Sequence, residues 1–63
     1  MPFVSVEALE GKSLQQKRDL VKAITDAVSN IYGTPRESVR VVLRFNSNED
    51  IAWGGNLMID KGK

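Results

Sequence analysis

The sequence predicts an α/β fold: a single β-α-β unit with two parallel strands, a short helical turn and a C-terminal hairpin. Residues 3–9 and 39–45 each alternate side chains with the period of a strand. The stretch between them repeats apolar residues at the spacing of an amphipathic helix. A helical crossover of that length joins parallel strands, and it does so with a right-handed connection. The 63 residues leave room for one such unit, so residues 1–63 are read as one domain.

In the first strand Val4, Val6 and Ala8 share one face, while Phe3, Ser5, Glu7 and Leu9 share the other. Pro2 suits the first position of a strand, where its missing N–H matters least. Glu10-Gly11-Lys12 makes a turn. Ser13 followed by Gln16 is a capping box, which starts a helix at Leu14. Leu20, Val21, Ile24, Ala27, Val28 and Ile31 form its apolar stripe. Lys17, Arg18, Asp19, Lys22 and Asp26 are its solvated remainder, with Lys22 four residues before Asp26 and in reach of it. Gly33 is a left-handed stop. Thr34-Pro35-Arg36-Glu37 repeats the capping logic: Thr34 as cap, Pro35 at the first helical position, Glu37 reaching back. In the second strand Val39, Val41, Leu43 and Phe45 alternate with Arg40, Val42 and Arg44. Residues 46–50 are a polar loop. Ile51-Ala52-Trp53 and Asn56-Leu57-Met58-Ile59 flank a Gly54-Gly55 turn, a hairpin signal. Lys61-Gly62-Lys63 is read as frayed.

One helix covers one face of a two-stranded sheet. The other face keeps Val42, Phe3 and Leu9, and such a pair is marginal in water. Chains this short usually add disulfides, a metal or oligomerisation to an insufficient core. There is no Cys and no His. Disulfides, thiolate zinc sites and cysteine nucleophiles are therefore excluded, and the commonest metal ligand and general base are missing. Oligomerisation remains, with a second copy extending or covering the sheet. Nine basic and eight acidic residues leave a net charge of +1. That balance lacks the basic face of a nucleic-acid binder, and a strand-helix DNA binder would also need two helices after one strand. No apolar run approaches the ~18 residues of a membrane span. The N-terminus has no signal-peptide pattern. A cytoplasmic protein with neither membrane nor nucleic-acid partner is expected.

The bases left near neutral pH are carboxylates, a lysine of lowered pKa and the chain's own α-amino group, which ordinarily titrates just above neutrality. Pro2 is small enough to permit removal of the initiator methionine. Removal exposes a secondary amine on a rigid ring, and at a strand end beside cations that amine loses its proton more easily. Met-Pro is equally the plain start of a strand. Arg40 and Arg44 share a face of the second strand: they suit either ion pairing, with Glu7 or a neighbouring subunit, or capture of an anionic substrate. Lys12 is a loop lysine, either solvated or a further substrate cation. Trp53, the only tryptophan, is either an oligomer-core aromatic or, with Ile51, a wall of a small pocket. Gly54 and Gly55 form no phosphate-binding pattern.

Met-Pro-Phe-Val-Ser-Val at the start, Leu9-Glu10-Gly11-Lys12-Ser13, Gln16-Lys17, Ser38-Val39-Arg40-Val41 and Gly54-Gly55 together resemble the 4-oxalocrotonate tautomerase family over nearly the whole chain. The resemblance implies an N-terminal proline, exposed by loss of the initiator, as general base; Pro2 matches it. It also implies two arginines on the substrate carboxylates. Arg40 matches one, and the other falls on Lys12, which keeps the charge without the bidentate fork. A pocket phenylalanine of the family falls on Ile51, and Trp53 is placed to supply aromatic surface instead. Trp53 stands where the family's hydrolytic dehalogenases carry a water-activating glutamate, which argues against dehalogenation. The implied activity is cofactor-independent tautomerisation of a small 2-hydroxy-dienoate or enol-pyruvate-like carboxylate. The implied assembly is a homohexamer built from three dimers. With Met1 retained, Pro2 nitrogen is an amide, and the same fold would be a non-catalytic oligomeric module.

Overall fold

The computed structural model describes residues 1–61; the last two residues of the expected frayed end, Gly62 and Lys63, lie outside the described residues. Strand β1 (Phe3–Leu9) leads through a turn at Gly11 (φ 115°) into helix α1 (Leu14–Tyr32). A 3-10 turn (Arg36–Ser38) precedes strand β2 (Arg40–Asn46). Strands β3 (Ala52–Trp53) and β4 (Asn56–Leu57) form the hairpin, and a second 3-10 turn spans Met58–Asp60.

The start of α1 follows its sequence signal. Ser13 Oγ accepts the Gln16 N–H at 3.1 Å, and the Gln16 side chain accepts the Ser13 N–H at 2.9 Å. Two of the helix's unpaired donors are thereby satisfied reciprocally. Gly33 ends the helix in the left-handed region (φ 67°), and the N–H groups of Gly33 and Thr34 both donate to the Ser29 carbonyl. The 3-10 turn forms where expected but differs in its cap. Pro35, extended, occupies the cap position without a side-chain bond, and Thr34 Oγ1 pairs instead with Ser38 Oγ at 2.7 Å. Glu37 has no cap N–H to reach back to, since Pro35 carries none and the Thr34 N–H donates to the Ser29 carbonyl.

β1 and β2 pair in parallel, with Val4 beside Val41, Val6 beside Leu43 and Ala8 beside Phe45 on the helix side. The opposite face sets Phe3 beside Arg40, Ser5 beside Val42 and Glu7 beside Arg44. Val39, just before β2, is the buried residue of the apolar core. The helix covers less than its stripe offers: Val21, Ile24 and Val28 are half-buried, but Leu20, Ala27 and Ile31 are exposed. Two charged residues of the expected solvated face are also engaged. Lys17 Nζ lies 4.7 Å from the Phe45 ring centroid. Asp26 pairs with Lys22 at 3.3 Å and with Arg36, tying α1 to the following turn.

The hairpin forms its own two-stranded antiparallel sheet, with Gly54 (φ 56°) and Gly55 (φ 85°) at its tip. Positive φ at both central residues is what the tight hairpin turn requires. The polar loop anchors this tail. Met58 N–H donates to the Ile51 carbonyl at 2.8 Å, and Ile59 N–H donates to the Asn48 carbonyl at 3.1 Å.

Candidate functional site

Two ends of the sheet gather the chemically distinctive side chains. At the start of β1, the Pro2 carbonyl accepts the Arg40 N–H at 3.0 Å. The parallel register thus sets the first residues of the two strands side by side. Pro2 is half-buried in a cavity of about 280 Å³ shared with Met1, Tyr32 and Thr34. Helix α1 runs antiparallel to the strands, so its C-terminus returns to this end. Thr34 is fixed there by the Ser29 hydroxyl, which donates to its carbonyl at 2.6 Å. The Arg40 guanidinium is exposed and donates to the Glu37 carbonyl at 2.8 Å. Arg44 reaches the Ser5 hydroxyl at 3.4 Å. Neither arginine pairs with Glu7, since the ion pairs among the described residues are those of Asp26.

At the far end of β1 lie two further cavities. Lys12 lines one of about 270 Å³ on the helix side, with Gln16, Lys17, Leu20 and Phe45. Ile51 and Trp53 line the other, a groove of about 480 Å³ shared with Glu7, Leu9, Asn46 and Asp50. Lys61 Nζ stands 5.1 Å from the Trp53 ring centroid. Among the described residues no group of three or more His, Cys, Asp or Glu side chains is arranged to hold a metal ion.

Residues 2–61 match the profile of the Tautomerase family, whose description is tautomerase enzyme. The chain belongs to this family. It is similar to a probable tautomerase of Bacillus cereus, with 39% identity over 61 residues that cover 97% of this chain and all of the relative. Among solved structures, a 4-oxalocrotonate tautomerase homologue covers both chains completely at 38% identity and a TM-score of 0.90. A heterohexamer 4-oxalocrotonate tautomerase from Chloroflexus aurantiacus matches 97% of this chain and 98% of its own at 26% identity, with a TM-score of 0.84. Family and fold thus agree with what the N-terminal and Gly-Gly segments suggest.

Within a tautomerase protomer the sequence-derived residues fall into three groups. Pro2 and Arg40 are adjacent. Ile51 and Trp53 share a groove, and Lys12 faces a separate cavity beside it. The six residue steps of β1 separate the first group from the others by about 20 Å. Tyr32 beside Pro2 was not singled out by sequence patterns, whereas Thr34 was read as a helix cap, Glu7 as an ion-pair partner and Asp50 as part of the polar loop. Tyr32 and Thr34 were findable in principle, because an antiparallel crossover must end opposite the start of β1. Asp50 sits in a loop whose path no periodicity specifies.

Proposed function

We propose that the protein is a cofactor-independent tautomerase that interconverts enol and keto forms of a small 2-hydroxy-dienoate or enol-pyruvate-like carboxylic acid. Pro2, freed of Met1, takes the enol hydroxyl proton on its secondary amine and returns a proton to a substrate carbon. The step is an isomerisation, and nothing else is consumed. Arg40 binds the carboxylate and polarises the developing carbonyl, Lys12 assists as a second cation, and Ile51 and Trp53 exclude water. Removal of water strengthens both charge interactions.

The observation that carries this reading is the Pro2–Arg40 contact at the paired strand starts. It is a backbone contact that brings the two strand starts together, in a chain of the Tautomerase family, while the Arg40 guanidinium donates to the Glu37 carbonyl. The distance of about 20 Å to Lys12, Ile51 and Trp53 means that one protomer cannot wrap all five residues around a small acid. Two copies meeting start-to-end can. We therefore assign the working form as a homo-oligomer, a hexamer of three dimers, with sites shared between subunits. Phe3 (65% exposed) and Ile31 (81% exposed) are the apolar surface such an assembly would cover.

The test is kinetic. Protein shown by intact mass to lack Met1 should ketonise enol acids, with a rate that rises with pH as the amine loses its proton. A free Pro2 amine with no turnover of any enol acid would leave the non-catalytic module as the reading.

A further inference from the structure

We infer that the groove of Ile51 and Trp53 receives an uncharged, apolar end of the substrate and rejects a second carboxylate, with Glu7 and Asp50 as the specificity-determining residues. The inference deepens the tautomerase reading and rests on its claim that this groove walls the substrate site. Its volume of about 480 Å³ is ample for a short chain or a ring. Three of its residues are apolar and large: Leu9, 38% exposed, Trp53, 57% exposed, and the half-buried Ile51.

Every charged residue lining the groove is an acid. Glu7 projects from the face of β1 that points away from the helix, as the strand alternation requires. Its register neighbour Arg44 turns to the Ser5 hydroxyl instead. Asp50 is the last residue of the polar loop, with its N–H donating to the Ser47 carbonyl at 2.9 Å. Neither carboxylate belongs to the ion pairs among the described residues. The nearby cations are directed elsewhere. Lys12 and Lys17 line the helix-side cavity, and Lys61 sits over the Trp53 ring without lining the groove. A distal carboxylate entering here would meet two like charges, and closure by a neighbouring subunit would strengthen the repulsion by removing water. An apolar end meets no such opposition and gains from burial on Trp53 and Leu9. Selectivity against the diacid thus comes from a repulsive element as much as from the apolar fit.

Trp53 is the only tryptophan, so its fluorescence reports occupation of this groove whether or not turnover follows. The Met1-free protein is titrated with 2-oxohexanoate and with 2-oxohexanedioate, which have equal chain lengths. The monoacid should bind about tenfold more tightly or better, and the Glu7→Gln, Asp50→Asn double variant should bring the ratio towards one. If the double variant does not fold, Asp50→Asn alone, in the exposed loop, carries the comparison. A diacid bound as tightly as the monoacid overturns the inference. So does an unchanged ratio in the folded variant, or no fluorescence response to either acid. Should the diacid be preferred and Lys61→Ala remove that preference, Lys61 is the acceptor and the inference is wrong. Turnover of the enol forms is read separately. A monoacid preference in binding without turnover sinks the tautomerase reading but leaves the groove's selectivity standing.

Discussion

Arg40 joins two strand starts through its backbone and one carbonyl through its side chain. An Arg40→Ala change keeps the backbone bond to Pro2 and loses one exposed hydrogen bond, so folding should be little affected. If the guanidinium holds the substrate carboxylate, the lost charge-assisted bond is worth about 1.5–3 kcal/mol, or roughly 10- to 150-fold in kcat/KM. Steady-state kinetics beside a thermal melt check this, and activity falling in step with loss of the oligomer would favour a structural role instead. Lys12→Arg restores a fork in the helix-side cavity and should leave the weak handling of dicarboxylates unchanged or raise it, as measured by kcat/KM. Pro2 and Arg40 were legible in the sequence because terminal position and strand alternation are local properties. The separation of Lys12 from Ile51 and Trp53 was not. It depends on which side of β1 each loop passes, and that is decided by packing on the helix. Lys17 was read as solvated for the same reason, since its position over Phe45 exists only once the helix lies on the sheet.

At the scale of elements, α1 begins and ends where local chemistry directs. The capping box is complete, and Gly33 adopts the left-handed stop. Ser13→Ala removes the acceptor for the Gln16 N–H and should destabilise the protein by about 0.5–2 kcal/mol, measured by denaturant unfolding at fixed protein concentration. Unchanged stability would mean that this end of the helix is held by other contacts. Both strands and the Gly54-Gly55 hairpin were legible from alternation and turn residues. The cap of the 3-10 turn was not, because Thr34 has two partners to choose from and tertiary packing offers Ser38. Nor was it legible how much of the helix stripe a protomer buries. Periodicity marks which residues are apolar, while the two-stranded sheet limits how many of them a protomer can cover.

The whole protomer is too extended to be a finished globule. Its Cα radius of gyration is 15.3 Å and its longest dimension 48 Å, whereas a compact chain of this length has a radius near 11 Å. Its accessible surface of 4857 Å² exceeds the roughly 4,000 Å² of a folded monomer of this mass. Those excesses agree with the sequence argument that one sheet face lacks cover. Val42 stands between Arg40 and Arg44 on that face. Val42→Lys adds a third positive charge, which an isolated protomer would tolerate in water but a covered face would not. The variant should dissociate and unfold together at micromolar concentration in sedimentation and circular dichroism. A wild-type protein that sediments as a stable monomer would contradict the assembly.

Chemistry and assembly separate most cleanly at the N-terminus. Met1 is 82% exposed in the protomer, and a residue ahead of Pro2 converts the amine into an amide with no basic lone pair. The decisive measurement compares protein ending in free Pro2 with protein carrying one residue before it, both verified by intact mass and both shown to be the same oligomer. General-base catalysis typically contributes about 10²- to 10⁴-fold, and the account predicts a loss of that order in the turnover of enol acids by the blocked protein. Equal rates from the two forms would contradict it.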